Sequence, residues 1–218
     1  LKNMIFQGTV LGPPLWNVFY ADANTAVSRT DFQKVIFADD LNCFRVFNGS
    51  HGNPYVYKET NKCQNALHQW GQANQVVFEP SKESLHILDR QFPDGTSFKI
   101  LSVNFDTKLT MGEAVYQFWI EASWRMKTLL RTRKYYDTKT VVRLFQCHIL
   151  SFLEGATPAI YHAAPSILKP LDELQRTLLD ELGLSGSDAL LNFNLAPLGM
   201  RRNIAMLGIL LKIAHGIG

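Results

Sequence analysis

Residues 35–44 read VIFADDLNCF, two adjacent carboxylates set between β-branched and aromatic residues. Burying two like charges side by side is unfavourable unless a cation neutralises them or a turn lifts them into water. Aspartate forms turns, whereas valine, isoleucine and phenylalanine form strands. Residues 35–47 are therefore expected to run strand, tight turn, strand, with Asp39 and Asp40 at the turn. Such a turn offers hard oxygen donors at the edge of a sheet. They suit magnesium, which takes one or two carboxylates together with substrate phosphates. A solvated Asp-Asp turn is the plainer reading of the pair in isolation.

The rest of the chain has enough apolar material to build a core around that hairpin, with 46% hydrophobic and 19% charged residues in 218. No apolar run reaches the roughly 18 residues of a membrane span, and LKNMIFQGTV lacks the plan of a secretory signal. The expected location is the nucleus or cytoplasm, without secretion or a membrane. Three widely spaced cysteines, Cys43, Cys63 and Cys147, fit free thiols better than a disulfide framework.

Two kinds of pattern follow along the chain. Up to about residue 110 it mixes helix and strand: a helix entered through Pro13 and Pro14, the acidic hairpin, a helix carrying Cys63, Ala66, Leu67 and Trp70, and short strands at VVFEP and SLHIL. Beyond about 113 the pattern is helical. Trp119, Met126 and Leu130 mark an apolar stripe, and Lys127, Arg131 and Lys134 a basic one. Asp137 or Thr138 caps the next helix, Pro170 opens one stopped by Gly183, and Pro197 introduces a last one through Met200, Ile204, Leu207 and Leu211. The expected class is α+β, divided as 1–112 and 113–218. Seven Lys or Arg against two acids between Glu121 and Arg143 make that segment strongly basic in a chain of net charge +3. A patch of this kind points to a polyanionic partner.

Four segments in order, FQGTVLGPPLWNVFYAD, FADD, LHQWGQANQVVFEPSKES and ILSVNFDTKL, resemble the palm of reverse transcriptases of the non-LTR, LINE-like retrotransposon kind. The motifs rest on Gln7, Gly8, Gly12, Pro13 and Leu15; on Phe37, Ala38, Asp39 and Asp40; on Trp70, Asn74, Phe78 and Lys82; and on Leu101, Ser102, Val103, Phe105, Asp106, Lys108 and Leu109. The resemblance implies the later half of a right-hand polymerase palm, an antiparallel sheet with helices, followed by an α-helical thumb bundle. It implies RNA-directed DNA synthesis with two magnesium ions, manganese being the alternative ion, on an RNA template, a DNA primer and deoxynucleotide triphosphates. Asp39 and Asp40 would be the metal ligands, Asp39 bridging both ions, and Lys82 would assist the departing pyrophosphate. Gln7, Gly8, Pro13, Phe37 and Ala38 would lie beside template and nucleotide, and Arg125, Lys127, Arg131 and Lys134 would hold backbone phosphates.

Other readings stand beside these. Lys82 also reads as a surface lysine, Asp106 as a plain turn aspartate, and the basic stripe as a solvated helix face. Ser102 stands where the family often has glycine. The fingers, the first palm half and the family's other catalytic aspartate are expected to be missing, which leaves a catalytically inactive truncated remnant as one alternative and a non-catalytic nucleic-acid-binding module as another. Neither Cys63 with His68 nor Cys147 with His148 has zinc-site spacing, and no serine sits in a nucleophile-elbow pattern.

Overall fold

The computed structural model describes residues 9–216 and separates the chain into two compact units, Leu1–Ser84 and Leu85–Gly218. Both mix helix with a two-stranded antiparallel sheet, so the chain is α+β with helix predominating. The second unit includes the segment from Leu85 on, whose Val103 and Phe105 pack against the core of the helices that follow.

In the first unit, helix α1 (Gly12–Ser28) starts with prolines in its opening turn, where no backbone donor is lost. Strands β1 (Gln33–Phe37) and β2 (Asp40–Phe44) follow as a tight hairpin, then helix α2 (Asn53–Ala73). Pairing runs from Gln33 opposite Phe44 to Phe37 opposite Asp40. Alternation along β1 turns Lys34 and Ile36 inward and leaves Gln33, Val35 and Phe37 exposed. Ile36, Leu41 and Cys43 pack on Tyr20, Ala23 and Val27 of α1 and on Cys63, Leu67 and Trp70 of α2.

Past α2 the expected strands at VVFEP and SLHIL do not form. Residues 76–79 are irregular, and Pro80–Lys82 is a 3-10 turn in which the Glu79 side chain accepts from the Ser81 amide. Of SLHIL only Ile87 forms a bridge, to Asp94. Strand-forming side chains need a ladder partner, and here Phe78 instead folds back on α2, its ring 5.5 Å from that of His68 and 6.5 Å from that of Trp70.

The second unit carries the hairpin of β3 (Phe98–Ile100) and β4 (Val103–Phe105), then α3 (Gly112–Thr132) and α4 (Thr138–Phe145). A π-helical segment (Gln146–Leu150) leads into α5 (Ser151–Gly155), α6 (Thr157–Ile160), α7 (Pro165–Leu182), α8 (Gly186–Phe193) and α9 (Leu198–Ala214). The core gathers Met126 and Leu129 of α3, Val141 and Phe145 of α4, Ile149, Ile160 and Leu171, with Val103 and Phe105 of β4 packed against it. Asp137 caps α4 by accepting from the Thr140 amide, and Gly183 ends α7 at φ 65°.

One helical expectation needs correction. Helix α7 starts at Pro165, so Pro170 lies inside it rather than at its entry. Along α9 the apolar stripe faces out: Met200, Ile204, Leu207 and Leu211 are all at least half exposed, whereas Leu198 and Arg202 are buried. Arg202 is held there by Asp172, at 2.8 Å. Among the described residues, no helix is long and apolar enough to cross a membrane.

Candidate functional site

The turn of the first hairpin consists of Ala38 and Asp39, since Phe37 pairs with Asp40 across it. Ala38 has φ 54° and Asp39 has no positive φ, the sign pattern of a type II′ turn, whose first position favours glycine. An alanine there is strained by about 1 kcal/mol. What holds it is a hydrogen bond from α1: the Trp16 indole Nε1–H donates to the Ala38 carbonyl at 2.6 Å. Trp16 is braced in turn by the Tyr20 ring at 4.9 Å, and Tyr20 by Trp70 of α2 at 5.3 Å, edge to face. An aromatic column thus runs from the α2 core to the back of the acidic turn.

Asp39 and Asp40 are both exposed. Asp39 lies on the α1 side, near enough that its charge, after the larger effect of burial, raises the Tyr20 hydroxyl above its ordinary range. Asp40 opens β2 opposite Phe37 and so shares the outward sheet face with Phe37 and Val35. No lysine, arginine or histidine forms an ion pair with either carboxylate among the described residues. Two solvent-facing carboxylates without an internal cation match the donor set that magnesium takes when phosphates complete its shell. No third acid, histidine or cysteine joins them in a closed cluster among the described residues.

The other site residues divide clearly. Phe37 is 60% exposed beside Asp40, and Pro13 is exposed in the first turn of α1. Gln7 and Gly8 lie outside the described residues. Lys82 is exposed at the end of its 3-10 turn, and no hydrogen bond or ion pair joins it to Asp39 or Asp40 among the described residues. Asn74 closes α2, its side-chain amide donating to the Trp70 carbonyl at 2.9 Å.

In the second unit the turn of the β3–β4 hairpin puts both Leu101 (φ 46°) and Ser102 (φ 72°) in the left-handed region, as a type I′ turn requires. Glycine at the Ser102 position would relieve that conformation. Asp106 orders the next segment: its carboxylate accepts from the amides of Lys108, Thr110 and Met111 at 3.1, 3.0 and 2.8 Å and from the Thr110 hydroxyl at 3.0 Å. Burial works to raise its pKa, but these bonds outweigh it and hold the carboxyl below its ordinary value.

The four basic residues of the expected phosphate face are not equivalent. Arg125 is occupied within the fold, bonded to Glu121 at 2.9 Å and to the His148 carbonyl of the π-helical segment at 2.8 Å, with its guanidinium 4.2 Å from the centre of the Phe152 ring. Lys127 and Arg131 are exposed and have no ion-pair partner among the described residues, and Lys134 lies over the Tyr135 ring at 5.0 Å. Sequence reading missed Trp124, which is 65% exposed one turn before Lys127. The spacing of 124, 127 and 131 is a visible signal for it, an aromatic in line with two cations.

No protein-family model, no curated protein and no solved structure matches the chain.

Proposed function

We propose that the chain is the later palm and thumb of an RNA-directed DNA polymerase of a non-LTR retroelement, with Asp39 and Asp40 as its metal-binding carboxylates. The observation that carries this reading is the acidic hairpin turn itself. Its two carboxylates are exposed and lack an internal cation, Asp39 in a strained turn anchored from behind by Trp16 and Asp40 at the first position of β2. Strain kept at a turn by a specific bond is characteristic of functional positions. Magnesium bound there would favour the nucleophilic form of a primer 3′-hydroxyl and offset the charge of the departing pyrophosphate. The protein would hold the carboxylates in place through the Trp16 bond, and Lys127, Arg131 and Lys134 would bind backbone phosphates.

The test is primer extension on an RNA template with magnesium, comparing the 218-residue chain with a form extended upstream to include the first palm half. The expected result is no synthesis by the 218-residue chain, synthesis by the longer form, and loss of synthesis in its Asp39→Asn variant. Synthesis by the 218-residue chain alone would mean that the site lies elsewhere.

A second reading is favoured by Trp124 beside Lys127 and Arg131, a combination of stacking surface and charge that binds single strands without chemistry. It requires that Asp39→Asn leave function intact.

A further inference from the structure

Cys43 lies on β2 and Cys63 on α2, and both belong to the cluster formed by Val27, Leu67, Phe32, Leu41 and Phe78. Cys63 is 3% exposed and Cys43 half-buried, and both are free thiols. The two thiols act on each other: Cys43, and after it Thr30, draws the Cys63 thiol down to about 6, whereas Cys63 and burial push the Cys43 thiol up. Opposite Cys43 in the hairpin register stands Lys34. Its ammonium nitrogen is fully buried and has no hydrogen-bond partner among the described residues, yet it is close enough to act electrostatically on Cys43. A buried cation without a partner is costly. Two ordinary core thiols have no use for one, whereas a thiolate would complete it.

We propose that Cys43 and Cys63 are a thiol–disulfide pair, closed by hydrogen peroxide into a cross-link between β2 and α2, with Lys34 assisting the closing step. Cys63 attacks because Cys43 and Thr30 draw its thiol below the ordinary range. Its thiolate takes one peroxide oxygen, the O–O bond breaks, and the departing hydroxide leaves as water after taking up a proton. That yields a sulfenic acid on Cys63. Cys43 then attacks the Cys63 sulfur, the S–O bond breaks, and its proton leaves with the second water as the S–S bond forms. Two thiols lose two electrons, and one peroxide becomes two waters. The Lys34 ammonium favours the Cys43 thiolate in this second step. Cys43 lies three residues after Asp40, so the cross-link would fasten the strand that starts at the acidic turn onto α2.

The test uses the 218-residue protein carrying Cys147→Ser, which removes the exposed thiol, treated with hydrogen peroxide under native conditions. Intact mass and peptide mapping should show loss of two hydrogens and a 43–63 cross-link, reversed by dithiothreitol. In Lys34→Met, closure should slow about tenfold as the Cys43 thiolate loses the ammonium that favours it, while a Cys63 sulfenic acid accumulates and is trapped by dimedone. Lys34→Arg should restore closure. Thiols that both remain alkylatable after peroxide treatment would overturn the proposal. So would closure in Lys34→Met at the parent rate.

Discussion

The indole N–H of Trp16 donates to the carbonyl of Ala38 across 2.6 Å, and this bond ties the first helix to the turn that displays the two aspartates. Trp16→Phe keeps a ring against Tyr20 but removes the donor. It is expected to destabilise the chain by about 1–2 kcal/mol, read as a lower urea midpoint. It should also loosen the turn, seen as faster amide exchange at Asp39 and Asp40. An unchanged midpoint with unchanged exchange would show that α1 does not hold the turn.

Divalent-ion binding at the turn is open to direct measurement. Manganese is expected to broaden the amide resonances of residues 37–41 selectively, with weak affinity because only two carboxylates take part. The double variant Asp39→Asn, Asp40→Asn should abolish the broadening without lowering Tm. Equal broadening in that variant would remove the metal assignment.

Asp106 makes stability depend on pH in a defined direction. Its folded-state pKa lies below the unfolded value of about 3.8, so its contribution is present above that value and is lost as pH falls through the lower, folded one. Asp106→Ala should cost about 1–3 kcal/mol at neutral pH. Thermal unfolding across pH 2–7 should show the gap to the parent constant above about pH 5 and shrinking below about pH 4.

Ser102 occupies a left-handed position at φ 72°. Ser102→Gly is expected to stabilise the chain by about 0.5–1 kcal/mol, since relief of the Cβ clash exceeds the entropy gained by the unfolded chain. A lower Tm in this variant would show that the hydroxyl makes a contribution larger than the strain.

The cations of α3 should separate by experiment. Lys127→Ala with Arg131→Ala is expected to reduce the salt dependence of nucleic-acid binding by about two in the slope of log K against log salt, at unchanged Tm. Arg125→Ala should do the reverse, lowering stability by about 1–3 kcal/mol, because it strips the His148 carbonyl and the Phe152 ring of their partner.

Local chemistry was legible where one residue type decides the outcome. Paired aspartates between strand formers specified the hairpin, Asp137 the start of α4 and Gly183 the end of α7. The reading failed where the deciding partner is distant in sequence. VVFEP has strand formers but no ladder to join, and Phe78 is claimed by α2. The internal bonds of Arg125 were not legible either, because the His148 carbonyl that it holds lies more than twenty residues later. The helix α9 formed as its periodicity implied, but periodicity says that a face exists and is silent on whether anything covers it. At the candidate site, the two aspartates were visible in advance and the Trp16 bond behind them was not, because an indole donor advertises no target.

The way Phe78 folds onto α2 leaves no space at Gly71: a β-carbon there would meet the Phe78 ring and the Val76 carbonyl oxygen, each at 2.8 Å. Even one added methyl would act as a wedge, prying the ring off His68, whose imidazole in turn faces the Glu83 carboxylate at 2.9 Å. Position 71 is thus a place where the smallest possible mutation travels through three side chains, and random mutagenesis of this segment should return glycine there almost without alternative.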